Sequence, residues 1–279
     1  MHETLMRSAL FVPASRPDRF SKAIASGADA VIIDLEDSVA PDAKSEARDA
    51  LARHAADHPQ DRVWVRINDG TTPWFEDDLA LCRSLPSVAG IVLPKAQAAE
   101  HVYIVSGAGK PLMPVIESSQ GLRMLDSIAE ANGVARLSFG ILDLMVEFGT
   151  RPQTEGAQRI LDQVRFQILQ ASRMHGLADP LDTIHADFSD LDGLARTATL
   201  ARDMGFGGML CIHPSQVPVV HQVYQPLPEE LDWAQRVVDH ADRTGEYAFR
   251  LDGRMVDLPV IERARRVLER GGRPEAPSR

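Results

Sequence analysis

Cysteine is nearly absent: the 279-residue chain holds two, Cys82 and Cys211, both within apolar-rich stretches. Thiols so placed read as buried free cysteines rather than a disulfide framework, the usage expected of a cytoplasmic protein. Long apolar runs are missing too. None approaches the ~18 residues that a membrane span needs, and the stretch from Met1 to Arg7 lacks the apolar segment of a signal peptide. Positive charge is in the minority, with 30 Lys plus Arg against 40 Asp plus Glu and a formal charge of −10. Nucleic-acid binding depends on phosphate neutralisation by basic patches, so neither a nucleic acid nor a membrane is expected as partner. The remaining balance, 44% hydrophobic and 25% charged, is that of a soluble globular protein with one large domain or two small ones.

Short runs rich in Val, Ile and Leu recur along the chain, separated by longer amphipathic stretches. They are Ala9–Pro13, Ala30–Leu35, Val63–Ile67, Gly90–Leu93, Leu112–Ile116, Leu137–Gly140, Thr183–Ala186 and Gly208–Ile212. Continuous apolar runs are the pattern of parallel strands buried on both faces. The stretches between them read as helices, for example Arg16–Ser26, Ala43–Ala56 and Gln158–His175, with Gly27 and Gly176 near C-caps. This alternation predicts an α/β fold, a (β/α)8 TIM barrel. An open doubly wound sheet is the alternative.

After Ile212 the texture changes. Pro214, Pro218, Pro226 and Pro228 punctuate a connector, and Glu229–Thr244 reads as a helix. Tyr247–Leu251, Asp252-Gly253 and Arg254–Val256 predict a hairpin, followed by a short helix with Pro259 in its first turn and an apolar stripe through Ile261 and Val267. The expected organisation is a barrel over residues 1–225, a helix–hairpin–helix lid or oligomerisation module over 226–270, and a disordered tail over 271–279.

In a barrel the C-terminal strand ends carry the active site. Here each apolar run is followed directly by polar or ionisable residues: Arg16 and Arg19 after the first, Asp34, Glu36 and Asp37 after the second, and Arg66 on the third. Lys95 ends the fourth, Glu117 follows the fifth, Asp143 the sixth, Asp187 the seventh and His213 the eighth. Any one of these acids alone reads as a helix cap or a solvated loop charge. Together they suggest Mg²⁺, which takes oxygen ligands and usually one or two carboxylates plus water and substrate. Glu117 and Asp143 could supply the carboxylates, Glu36 and Asp37 could hold metal-bound water, and Arg66 could grip a substrate carboxylate or oxyanion as a fork donor. His54 and His58, four residues apart, sit at the end of an expected surface helix and make a weak metal candidate.

Seven segments in order carry a family resemblance: Leu10-Phe-Val-Pro13, Asp34-Leu-Glu-Asp-Ser-Val39, Val65-Arg-Ile-Asn68, Leu93-Pro-Lys95, Ile116-Glu-Ser118, Phe139-Gly140 with Asp143-Leu144, and Ile212-His-Pro-Ser-Gln216. Over about residues 8–268 the chain resembles the citrate lyase beta subunit and the malyl-CoA and citramalyl-CoA lyases, the CoA-thioester branch of the HpcH/HpaI aldolase superfamily. The resemblance implies a (β/α)8 barrel holding Mg²⁺ through Glu117 and Asp143, with a CoA thioester as substrate. It implies that Arg66 contacts the carbonyl and carboxylate of a keto acid and that Glu36 and Asp37 organise metal-bound water. It implies that Arg16, Arg19 and Lys22 lie near the CoA phosphates; Lys95 is a further candidate for substrate or CoA binding. Asp257 matches the acid/base of the family's C-terminal lid, delivered onto a neighbouring subunit in a homotrimer or hexamer. On residues alone, Asp257 reads as an N-cap for the helix after it.

The chain departs from the family pattern at Ala14 (usually Gly), at Leu142 before Asp143, at Ser119-Gln120, and at Gly207–Met209, which lacks a usual Lys. Asp37 stands where pyruvate-type aldolases of the superfamily carry a catalytic His. The expected activity is Mg²⁺-dependent, reversible cleavage of citramalyl-, malyl- or citryl-CoA to acetyl-CoA and a keto acid. The alternatives are a citrate lyase beta subunit acting on a carrier-protein thioester within a complex, and a catalytically silent protein binding keto acid or CoA.

Overall fold

The structure, a computed structural model, describes residues 5–272. Two compact units divide the chain, one ending at His221 and the other beginning at Gln222.

The first unit is built on eight parallel strands: β1 (Ser8–Pro13), β2 (Ala30–Asp34), β3 (Val63–Arg66), β4 (Val88–Leu93), β5 (Leu112–Ile116), β6 (Ser138–Phe139), β7 (Leu181–Asp182) and β8 (Gly208–Cys211). They pair in the order β6-β5-β4-β3-β2-β1-β8-β7. The Leu181 N–H donates to the Leu137 carbonyl at 3.0 Å across the seam between β7 and β6. An open doubly wound sheet has no such contact between its outer strands, so the fold is a nearly closed (β/α)8 barrel.

Strand burial follows composition. Every residue of β2 and β5 is buried, and each fully buried Ile, Val or Leu contributes about 1.5–3 kcal/mol relative to exposure. Gly90 in β4 is required by packing: a Cβ there would lie 2.5 Å from the Trp64 ring. Register sets up the site, because β2 and β3 pair Asp34 opposite Arg66 at their C-terminal ends.

The surrounding helices are α1 (Phe20–Ile24), α2 (Lys44–Asp57), α3 (Phe75–Ser84), α4 (Ala99–Ser106), α5 (Ser119–Arg123), α6 (Leu125–Glu130), α7 (Ile141–Glu147), α8 (Glu155–Met174) and α9 (Leu191–Met204), and α10 (Gln216–Tyr224) runs across the boundary between the two units. Thr154 caps α8 by accepting from the Ala157 N–H at 3.3 Å, and Asp190 caps α9 by accepting from the Gly193 N–H at 2.8 Å.

Two expectations need correction. The seventh strand is Leu181–Asp182, not Thr183–Ala186. The charge on Asp182 disguises it: the side chain is fully buried and paired with Arg165 of α8 at 3.1 Å. The Pro-punctuated connector after Ile212 is largely helical as α10, with Pro218 in the first turn, where a missing N–H costs no helical bond.

The second unit comprises α11 (Pro228–Thr244), the antiparallel hairpin β9 (Ala248–Leu251) and β10 (Arg254–Asp257), and α12 (Leu258–Gly271). Asp252 (φ 50°) and Gly253 (φ 77°) form the turn, as a two-residue hairpin loop demands. Ala234, Val237, Val256, Ile261 and Ala264 give the unit a small apolar cluster of its own. Of the expected disordered tail, Gly271 ends α12, and residues 273–279 lie outside the described residues.

Candidate active site

A cavity of about 410 Å³ opens where the barrel strands end. Arg66, Asp34, Asp37, Glu117 and Asp143 are its charged lining residues, and Phe11, Phe139, Ile184, Leu210 and Ile212 contribute apolar wall.

Glu117 follows directly on β5 and is 6% exposed. Its Oε1 accepts from the Lys95 backbone N–H at 2.5 Å. Its Oε2 lies against Gly140, where a Cβ would come within 2.3 Å of it. Burial, together with the Glu36 and Asp143 carboxylates, pushes the Glu117 carboxyl up to about 7 against the pull of the Lys95 N–H. Asp143 stands in the first turn of α7, directly after the loop through Gly140. A buried carboxylate whose proton affinity is raised by a second carboxylate beside it forms, with that neighbour, a donor set a cation would relieve. Among the described residues there is no cluster of three or more His, Cys, Asp and Glu suited to a metal. An all-oxygen pair completed by water and substrate fits Mg²⁺ rather than Zn²⁺.

Arg66 ends β3. Its Nε and Nη2 donate to Asp34 Oδ1 and Oδ2, both at 2.7 Å. Its Nη1 lies 3.1 Å from Glu36 Oε2, without the alignment of a good hydrogen bond, and 3.9 Å from Asp37 Oδ2. The guanidinium also lies over the Phe11 ring, 4.8 Å from its centroid. One edge of the guanidinium assigned to substrate from the sequence is thus occupied by Asp34, which stood among the strand-end acids without an assigned role. The available signal was an acid ending an apolar strand in register with an arginine.

Lys95 has φ 48°, rare for a residue with a side chain. That turn aims its N–H at Glu117 while its ammonium donates to Glu36 and lies 3.4 Å from Asp37 Oδ1. Burial lowers its proton affinity, but Glu36 and Asp37 more than compensate. Burial pushes the Glu36 carboxyl up despite Arg66 and Lys95.

The loop bearing Glu36 and Asp37 is held from behind by groups to which the sequence assigned no role. Lys44, buried in α2, donates through Nζ to the carbonyls of Leu35 at 2.7 Å and Glu36 at 2.8 Å. Asn68 donates to the Leu35 carbonyl at 3.0 Å and to Asp78, which Arg48 contacts at 3.1 Å. A lysine ten residues beyond a strand end carries no motif signal, because its partners are backbone carbonyls.

Glu36, Asp37, Arg66, Lys95, Glu117 and Asp143 are therefore brought together at one strand-end cluster. Arg16, Arg19 and Lys22 are exposed on the segment after β1 and do not line the cavity. Arg16 pairs with Asp18 through Nε at 2.9 Å and Nη2 at 2.8 Å. Asp257, in the second unit, is exposed at the N-terminus of α12 and accepts from the Val260 N–H at a long 3.4 Å. Cys82 and Cys211 are free and buried, and burial pushes both thiols up to about 12. Among the described residues no helix is long and apolar enough to cross a membrane.

Comparison with known proteins bears on this geometry. A citrate lyase subunit beta-like protein of Mycobacterium tuberculosis is 40% identical over 271 residues, covering 94% of each chain. A (3S)-malyl-CoA thioesterase of Cereibacter sphaeroides is 34% identical over 271 residues, covering 94% of this chain and 93% of its own. A crystal structure of CitE from M. tuberculosis, in complex with magnesium, acetoacetate and coenzyme A, superposes with a TM-score of 0.84 at 36% identity, covering 97% of this chain and 100% of that one. The sequence profile of HpcH/HpaI aldolase/citrate lyase matches residues 7–214, and the chain belongs to that family.

Proposed function

We propose that this protein is a Mg²⁺-dependent carbon–carbon lyase that cleaves a 3-hydroxyacyl-CoA of the citramalyl, malyl or citryl type to acetyl-CoA and a 2-oxo acid. The observation that carries the reading is the convergence of Glu117, Asp143 and Arg66 in one cavity at the barrel's C-terminal end. The family, and a relative whose crystal structure holds magnesium, acetoacetate and coenzyme A, support it.

In this reading Glu117 and Asp143 hold the cation. When bound, Mg²⁺ supplies Lewis-acid polarisation of the oxygen that becomes the 2-oxo group. Arg66, lining the cavity, offers the N–H donors that Asp34 does not take to the developing negative charge. Glu36 and Asp37, balanced by Lys95, hold water beside the site, and that water takes up the substrate's hydroxyl proton as the carbon–carbon bond breaks. Asp257, carried on the module of a neighbouring copy in a homotrimer or hexamer, donates a proton to the departing acetyl-CoA carbon and removes one in the condensing direction. Arg16, Arg19 and Lys22 receive the CoA phosphates.

The name of the C. sphaeroides relative favours a second reading, hydrolysis of a malyl-CoA thioester. A third is a citrate lyase beta subunit, which would require a carrier-protein thioester and partner chains. One assay separates them: the purified chain with citramalyl-, malyl- and citryl-CoA and with a carrier-protein thioester side by side, with Mg²⁺ and then with chelator. Chelator-sensitive acetyl-CoA plus 2-oxo acid supports the lyase. Free CoA plus the hydroxy acid selects the thioesterase. Turnover of the carrier thioester alone selects the complex subunit.

A further inference from the structure

The helix that carries Asp143 has little of its own to hold it. α7 is seven residues long and buries Leu144, and a helix so short is not stable by itself. Gly140 at its N-cap has no side chain to cap with, and Asp143 is exposed, so packing does not fix the carboxylate. Hydrogen bonds to other elements set where the helix stands. At its start the Gly140 N–H donates to the Ile116 carbonyl at 3.0 Å, and the Ile141 N–H donates to the Thr183 hydroxyl oxygen at 3.1 Å. At its end the Glu147 carboxylate accepts from the Ser119 N–H, at 3.1 Å to Oε1 and 3.0 Å to Oε2. Ser119 lies two residues beyond Glu117.

Thr183 is a firm anchor. It follows directly on β7, is 1% exposed and lines the cavity. The residue before it, Asp182, is fully buried and gripped by Arg165 of α8, whose Nε and Nη2 each donate to it at 3.1 Å. Breaking a buried pair of this kind is costly, so the strand end keeps its place. The Thr183 hydroxyl therefore bridges from the end of β7 to the start of α7, across a seam whose strands β6 and β7 are two residues each. We infer that Thr183 and Glu147 are positioning residues that pin α7 at its two ends and so set Asp143 against Glu117. They act on the carboxylate pair through the helix, not by ligation. Mg²⁺ demands near-ideal octahedral geometry at about 2.0–2.1 Å, so a shift of α7 costs affinity even with both carboxylates intact. The metal part of this inference rests on the reading of Glu117 and Asp143 as the cation's ligands.

The test compares Thr183→Val, which keeps the branched shape and removes the acceptor, with Thr183→Ser, which restores it. In the metal-free protein, backbone hydrogen exchange over residues 140–148, read by mass spectrometry, speeds up by about twofold to tenfold in Thr183→Val, the value of one neutral hydrogen bond. It returns toward wild type in Thr183→Ser. Mn²⁺, an oxygen-preferring stand-in for Mg²⁺, is then titrated with pyruvate absent and read by electron paramagnetic resonance. Its affinity falls about tenfold in Thr183→Val, the low end of the loss for groups that orient a metal ligand, and stays within about twofold of wild type in Thr183→Ser. Glu147→Ala weakens it about fivefold, whereas Glu147→Gln, which keeps an acceptor for Ser119 without the charge, stays within about twofold. A merely structural role would lower the unfolding temperature and leave the Mn²⁺ affinity of the folded protein unchanged. Wild-type exchange over 140–148 or wild-type Mn²⁺ affinity in Thr183→Val overturns the inference. So does a loss that appears only when pyruvate is added, which would make Thr183 a substrate contact. If Thr183→Val does not fold, the two Glu147 variants decide by the same readouts. If Asp143→Asn takes up Mn²⁺ as the wild type does, the metal assignment fails by itself, and the exchange of α7 still judges the two pins.

Discussion

The backbone N–H of Lys95 meets Glu117 Oε1 at 2.5 Å, while the ammonium of the same residue reaches Glu36. One residue in a left-handed conformation therefore ties together acids from two strands. The two contacts are separable, because one belongs to the backbone and the other to the side chain. Lys95→Met keeps the N–H and removes the charge. Mg²⁺ affinity in the presence of pyruvate stays within about threefold of wild type, whereas kcat falls by roughly tenfold to a hundredfold, the range for losing one charge-assisted hydrogen bond. Isothermal calorimetry with steady-state kinetics checks this. A large loss of metal affinity would show that the ammonium, not the N–H, supports Glu117.

Gly140 has an ordinary φ of −98°, so the backbone does not demand glycine. Space does, because a Cβ would stand 2.3 Å from Glu117 Oε2. Gly140→Ala displaces the carboxylate. The expected result is at least a tenfold loss of Mg²⁺-dependent pyruvate binding with a modest overpacking cost of about 1–3 kcal/mol in thermal unfolding. Wild-type affinity in a folded Gly140→Ala protein would remove Glu117 from the metal site.

Metal affinity should depend on pH through Glu117. In the metal-free protein its carboxyl is raised to about 7, so below that pH a proton competes with the cation. From pH 6 to pH 8 the Mg²⁺ affinity rises by roughly tenfold, then levels off. The sign for stability is opposite. A buried carboxyl with a raised proton affinity binds more protons folded than unfolded, so metal-free stability from this group falls as pH rises through 7. Flat Mg²⁺ affinity over this range would contradict the assignment.

Asp257→Asn separates capping from catalysis, because Asn caps a helix about as well as Asp. Unfolding temperature and Mg²⁺-dependent pyruvate binding are expected to stay at wild-type values. Turnover falls by roughly a hundredfold to ten-thousandfold, the usual contribution of a positioned acid/base. Wild-type turnover would end the acid/base assignment.

The barrel was legible because parallel strands buried on both faces announce themselves as runs such as Ala30–Asp34 and Leu112–Ile116. β7 was misplaced because its identity depends on a charge, Asp182, that Arg165 neutralises from another element. The same physics limited the site. Glu117, Asp143 and Arg66 could be nominated from their positions after strands. What they do to each other could not, because partner choice is set across strands: Asp34 claims Arg66 through register, and Lys95 reaches Glu117 through a backbone conformation that no residue identity announces. Lys44 was invisible for a related reason, since it acts on the carbonyls of Leu35 and Glu36.

The most direct measurement is which bond the purified chain breaks in (3S)-malyl-CoA and citramalyl-CoA with Mg²⁺, read as the ratio of acetyl-CoA to free CoA with the 2-oxo acid quantified alongside. Acetyl-CoA and 2-oxo acid in equal amounts, abolished by chelator and by Glu117→Ala, are expected of the lyase. Free CoA with intact hydroxy acid, or turnover that survives removal of the metal, would contradict it.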